Sequence, residues 1–193
     1  MNKKRNNYHI RYLSFNDLAK LNTYKNLSKR DHLIILLLYH SGCTVNELVN
    51  VKIKDINFTN NTLKISKDFS RNKSFRIIYL SKFIIDKISR FINYNDKMNI
   101  NQNEYLFSTR QSKKISTKRV RQIVEDVFFD LKIKNTTPQI LRYTHIAHAY
   151  IKGIPIDAIQ KQVGLRRSRA IEIFNQLSLE TNIEAYKAFD EKA

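Results

Sequence analysis

The stretch from Thr137 to Phe174, TPQILRYTHIAHAYIKGIPIDAIQKQVGLRRSRAIEIF, constrains the fold more than any other part of the chain. Thr137 can cap a helix and Pro138 suits its first position; an apolar run follows, with Arg142 one turn in. Gly153 and Pro155 end that helix, and a second, short one runs to Gly164. Arg166, Arg167 and Arg169 form a basic patch leading into a third helix that carries Phe174.

The rest of the chain surrounds this segment with more helices and one small sheet. Ser14 caps a helix with Leu18 and Leu21 on one face, and Ser28 caps the next, whose run LIILLLYH is apolar nearly all round and therefore buried. Gly42 ends it. Thr44 and Glu47 have the spacing of a capping box, which opens a short helix with Leu48, Val49 and Val51. From Asp55 the period changes from helical to alternating. Ile56 and Phe58, then Leu63 and Ile65, then Phe75 to Leu80 read as three antiparallel strands, with a polar hairpin from Asp68 to Ser74. Ser81 caps a helix through Phe91, with Phe83, Ile84, Ile88 and Phe91 at helical spacing. A polar linker covers Asn93 to Glu104, and Tyr105 to Phe107 re-enters the core. Ser116 or Thr117 starts another helix, with Val120, Ile123, Val124, Val127, Phe128 and Leu131 on its apolar face. Asn182 to Phe189 is weakly helical. The expected fold class is therefore mainly α (α+β), a helical body with a three-stranded antiparallel sheet.

Charge narrows the function. The 35 Lys and Arg against 17 Asp and Glu leave +18, which implies a polyanionic partner, nucleic acid before a membrane surface. Lys113, Lys114, Lys118, Arg119 and Arg121 crowd the start of one helix, where cations oppose the macrodipole and a phosphate backbone would relieve them. No apolar run reaches spanning length, and the basic N-terminus lacks the apolar segment of a secretory signal. The single cysteine, Cys43, allows no internal disulfide. His145 and His148 are three apart on one helix, but without further ligands they read as packed histidines, and no metal or cofactor is expected.

Four segments in order resemble the catalytic domain of the tyrosine recombinases, the phage integrases and Xer-type enzymes. RYLSFNDLAKL is similar to that domain's opening helix, LYHSGCTVNELVNVKIKDI to its first arginine box, and Leu63 to Leu80 to its β-hairpin. TPQILRYTHIAHAY…VGLRRSRAIEIF is similar to its second arginine box and the segment that follows. The resemblance covers residues 11 to about 177. It divides the chain into a basic arm (1–12), a recombinase-like domain (13–178) and a C-terminal tail or helix (179–193), without the family's N-terminal core-binding domain.

The resemblance implies a reaction in which a tyrosine attacks a DNA phosphodiester while two arginines neutralise the phosphate and a lysine and histidines move protons. On the matching positions this chain has Thr44 for the first arginine, Gln139 for the first histidine, Leu165 for the later histidine and Phe174 for the tyrosine. Arg142 is retained, Lys67 is the expected lysine, and Arg71 and Lys73 compete for its place. Phe174 has no oxygen for an ester, Thr44 cannot make a bidentate phosphate contact, and Leu165 cannot transfer a proton. The expectation is a DNA-binding protein of this fold that has lost cleavage, gripping duplex DNA through Arg71, Lys73, the 113–121 cluster and Arg166, Arg167 and Arg169. Arg142 would hold a phosphate or pair with Glu47. Two other readings stand beside it: a divergent recombinase using another tyrosine, with Tyr143, Tyr150 and Tyr186 as candidates, or one supplied by a partner; or a protein-interaction module. A cytoplasmic, nucleoid-associated location follows from DNA as partner, and the C-terminal segment would join a second copy or a recombinase partner.

Overall fold

Ser14, Ser28, Thr44 and Ser116 each turn the chain into a helix by the same device. Each hydroxyl accepts a hydrogen bond from the amide three residues on, satisfying one of the unpaired donors of the first turn. Each such cap contributes on the order of 1 kcal/mol. A computed structural model describes residues 10–66, 74–97, 104–109, 111–133 and 137–190. Among them, helices α1 (Phe15–Thr23), α2 (Lys29–Ser41) and α3 (Val45–Val49) precede strands β1 (Ile56–Asn57), β2 (Thr62–Ser66) and β3 (Phe75–Tyr79). Helices α4 (Lys82–Lys97), α5 (Thr117–Asp130), α6 (Gln139–Ile151), α7 (Ile156–Val163) and α8 (Arg167–Asp190) follow. The strands form one antiparallel sheet in the order β1-β2-β3, with Ile56 opposite Leu63 and Leu63 opposite Ile78.

Two hydrophobic clusters divide the interior. The larger gathers α2, α4, α5 and the inward face of the sheet, with Ile34, Leu37, Leu63, Ile84, Val120 and Leu141 almost wholly removed from water. The smaller joins Ile10, Ile146, Ala147, Ile159, Val163, Ala170, Ile173, Phe174 and Leu177. Burying a side chain of this size stabilises by roughly 1.5–3 kcal/mol, so both clusters are substantial. Helix α6 spans them: Ile140 and Leu141 belong to the first, Ile146 and Ala147 to the second. Arg142 lies on the stretch between.

Several boundaries differ from the sequence reading. The first strand stops at Asn57, and Phe58 is exposed rather than alternating into the sheet. Helix α4 continues to Lys97 through the start of the expected linker, because no glycine or proline stops it. Phe83 faces outward, 53% exposed, and Ile85 takes its place beside Ile84 and Ile88. Helix α6 begins at Gln139 with no side-chain cap; Thr137 contributes its carbonyl, which accepts from the Ile140 amide at 2.9 Å. The stretch Asn182–Phe189 is helical but continuous with α8.

Residues 10–13 of the N-terminal segment are docked. The Ile10 amide donates to the Gln176 side chain (2.9 Å), the Leu13 amide to Thr144 Oγ1 (2.9 Å), and the Leu13 carbonyl meets His148 Nε2 (2.9 Å). The part of the arm before Ile10 lies outside the described residues.

Candidate functional site

The turn after α2 brings three elements together. Gly42 adopts φ +61, a conformation that glycine enters without strain, and a Cβ there would stand 2.6 Å from Val163 Cγ1 and 2.9 Å from His145 Cδ2. The turn is thus pressed against α6 and α7. Its carbonyl accepts a hydrogen bond from Arg142 Nη1 at 2.5 Å. Arg142 is 7% exposed, and among the described residues it has no carboxylate within ion-pair distance. Burial weakens its hold on the proton, with Glu47 opposing that effect and Arg76 adding to it. A guanidinium remains charged in any protein setting. A buried cation bonded to a neutral carbonyl is the kind of group an incoming anion would satisfy.

Among the described residues the Arg142–Glu47 ion pair, the alternative to a phosphate role for Arg142, is not made, because a different arginine has taken the carboxylate. Arg76, on β3, meets Glu47 in two hydrogen bonds, Nη1 to Oε1 at 2.5 Å and Nη2 to Oε2 at 3.1 Å. Its Nε donates to the Gln162 carbonyl at 3.0 Å. Both partners are largely buried, with the Arg76 side chain 11% exposed. Burial alone would raise the Glu47 carboxyl, but the bonds from Arg76 and the Thr44 amide outweigh it and hold the group below the usual carboxylate range. Gln162 also pairs with the edge of β3 as a strand would, exchanging hydrogen bonds with the Tyr79 amide (3.0 Å) and carbonyl (2.8 Å). That ladder fixes α7 against the sheet and covers its edge. Sequence reading passed over Arg76. The signal was its register: alternation puts it with Ile78 on the inward face of β3, where a charge requires a partner.

The positions singled out from sequence have these surroundings. Thr44 caps α3, and its amide and hydroxyl both donate to Glu47 Oε2, at 2.8 and 3.1 Å, which completes the capping box. Gln139 is exposed at the start of α6. Leu165 follows Gly164, whose own φ of +69 ends α7, and packs against the smaller cluster. Phe174 is 5% exposed in that cluster, with its ring 5.7 Å from that of Tyr150. Tyr143 receives a hydrogen bond from Arg169 Nη2 at 2.9 Å, so Arg169 is already engaged, with Glu172 as its second partner. The Tyr186 side chain lies outside the described residues. His148 bridges Tyr39 and the Leu13 carbonyl and stacks on Phe15. His40 and His145 are each pushed down to about 4, in both cases chiefly by burial. No group of side chains among the described residues has the arrangement of a metal site.

The basic residues separate into two places. Lys113, Lys114, Lys118, Arg119 and Arg121 are exposed around the start of α5, where Lys114 donates to Asn50 at 2.7 Å and none makes an ion pair among the described residues. Arg166, before α8, and Arg167, its first residue, are exposed. Arg166 shares a cleft of about 590 Å³ with Arg76, Lys161, Leu165 and the outer residues of β3. Lys67, Arg71 and Lys73 lie outside the described residues.

This assembly of helices around a small sheet matches known proteins. The sequence model of the Phage integrase family covers residues 11–180, so the chain belongs to that family. It is 32% identical over 152 residues to tyrosine recombinase XerA of Pyrococcus furiosus, aligning 77% of this chain with 51% of that one. With tyrosine recombinase XerC of Leptospira interrogans the identity is 27% over 159 residues, 82% of this chain and 50% of the relative. The chain therefore spans about half the length of these relatives. A crystal structure of XerA recombinase superposes with a TM-score of 0.77 at 21% identity, covering 92% of this chain and 66% of that one. XerH bound to palindromic difH substrate, in a post-cleavage complex, superposes at 0.80 with 18% identity, covering 98% and 56%. Both structural likenesses speak for the fold.

Proposed function

We propose that this chain grips duplex DNA as a non-cleaving member of the phage integrase family. The observation that carries the loss of cleavage is Phe174. The register of the family resemblance puts it in the nucleophile's seat, and it fills that seat with a buried ring that has no oxygen to form a phosphotyrosine. Thr44 and Leu165 support the same reading, since one is spent capping α3 and the other packs against apolar neighbours.

Binding rests on a different set of groups. The net charge of +18 and the exposed cations at the start of α5 suit a phosphate backbone, and the XerH complex with its difH substrate is a precedent within the same fold. Arg142 would hold a phosphate at the α2–α3 turn, with Lys67, Arg71 and Lys73 contributing from the hairpin. The protein would act as a repressor, an accessory factor or a non-cutting partner in a recombination complex, wherever the DNA is kept. Its C-terminal helix would make the contact with a second copy or a recombinase.

Binding isotherms on a mixed-sequence duplex at increasing salt test the grip. Each phosphate neutralised contributes about 0.9 to the slope of log affinity against log salt. A slope of several units, reduced in a Lys118→Gln/Arg119→Gln/Arg121→Gln variant, is expected. Weak binding with little salt dependence would instead favour a protein-interaction module.

A further inference from the structure

Arg76 and Glu47 pair beside the α2–α3 turn, whose Gly42 carbonyl accepts from the buried Arg142. Two cations and one carboxylate leave an excess positive charge in a setting mostly removed from water. Thr44 and Arg76 converge on the same atom, Glu47 Oε2, at 2.8–3.1 Å and 3.1 Å. On its other side the Arg76 guanidinium lies against Gly164, where a Cβ would stand 3.0 Å from Nη1 and 3.1 Å from Cζ and Nε. Arg76 therefore bridges the α3 cap and the turn before Leu165.

Among the described residues, three of the five N–H donors of the guanidinium are used, by Glu47 Oε1, Glu47 Oε2 and the Gln162 carbonyl. It borders an open cleft of about 590 Å³ between β3 and α7, which also holds Lys161 and Arg166. The carboxylate on that lining, Asp157, is turned to Lys161 at 3.5 Å, so the cleft keeps a cationic balance.

We propose that Arg76 is a phosphate-binding residue of this protein, presenting its guanidinium from β3 to the cleft it shares with Lys161 and Arg166. This rests on the DNA-binding reading above and assigns a phosphodiester to the cleft that Arg76 lines with Gly164, Lys161 and Arg166. Glu47 is the positioning residue: its two carboxylate oxygens orient the planar guanidinium, and a fixed fork suits a phosphate's paired oxygens. The alternative is that Arg76 is a clasp tying β3 to α3 and α7 with no ligand of its own.

The two are separated by comparing wild type with Arg76→Gln, Arg76→Lys and the double variant Glu47→Gln/Arg76→Gln. The double variant keeps a neutral hydrogen-bonding pair and removes the two paired charges together. The readouts are affinity for a mixed-sequence duplex as a function of salt, melting temperature, and the arginine Nε–H NMR signals during titration with the duplex. The proposal expects the double variant to lose roughly ten- to a hundredfold in affinity, the scale of a charge-assisted hydrogen bond. It also expects a salt slope smaller by about 0.9, and an Arg76 Nε–H signal in wild type that moves on titration. Arg76→Lys should recover the slope but only part of the affinity, because a point charge lacks the fork. A folded double variant with wild-type affinity and slope would show Arg76 to be a clasp and overturn the proposal while leaving DNA binding intact. If the variants do not fold, an Arg76 signal that stays still while wild type binds DNA overturns it equally. A wild type with no salt-dependent binding would remove the DNA-binding reading and this proposal with it.

Discussion

The rings of Phe174 and Tyr150 lie 5.7 Å apart, tilted by 43°, inside the smaller hydrophobic cluster. This contact packs α8 onto α6, and in the proposed register Phe174 stands at the nucleophile's position. Adding the missing oxygen is therefore an informative change. Phe174→Tyr puts a hydroxyl into a position 5% exposed. Without a partner, that hydroxyl costs about 1–3 kcal/mol, visible as a lower denaturant midpoint. DNA cleavage should not appear, because Thr44 and Leu165 still provide neither charge nor proton transfer.

Gly42 tests how the Arg142 guanidinium is held. Gly42→Ala forces a Cβ to within 2.6 Å of Val163 and leaves alanine at φ +61. The left-handed conformation alone costs about 1–2 kcal/mol, and the clash moves the carbonyl that Arg142 bonds. Chemical denaturation should show a loss larger than that conformational term. At temperatures where the variant is folded, affinity for duplex DNA should fall as well.

Acid should destabilise the protein through His40 and His145. Burial holds both at about 4 in the folded chain, below the ordinary value of 6.5. A depressed histidine binds fewer protons folded than unfolded, so its stabilisation is complete above about pH 6.5 and is lost as pH falls toward 4. Each unit of depression corresponds to about 1.4 kcal/mol. Denaturation midpoints measured across this window should fall with acid, and His40→Gln/His145→Gln should flatten the curve. A midpoint independent of pH from 6.5 to 4 would contradict the buried, neutral state of these rings.

Most of the helical frame was legible because its starts are written in short polar residues: Ser14, Ser28, Thr44 and Ser116 all cap where the sequence puts them. The ends were less so. Helix α4 overran its expected limit because Ile92 and Asn95 carry its packing on through polar sequence, with Asn95 itself 6% exposed. Phe83 and Phe58 misled because hydrophobicity says that a side chain prefers burial, not that room exists for it. Arg142 was legible from its box, but its partner was not. The pairing of Glu47 with Arg76 joins residues 29 positions apart on a helix and a strand, and only the register of β2 against β3, with α7 docked through Gln162, brings them together.

The most direct test of the account is a covalent-capture measurement on nicked suicide duplexes, which trap a recombinase on DNA if it cleaves. The protein is first shown to shift the duplex in a native gel, then the mixture is denatured and the protein examined for attached DNA. The account predicts a salt-sensitive complex in the native gel and no DNA-linked protein after denaturation. A covalent adduct that forms with wild type and disappears on Tyr143→Phe, Tyr150→Phe or Tyr186→Phe would contradict it.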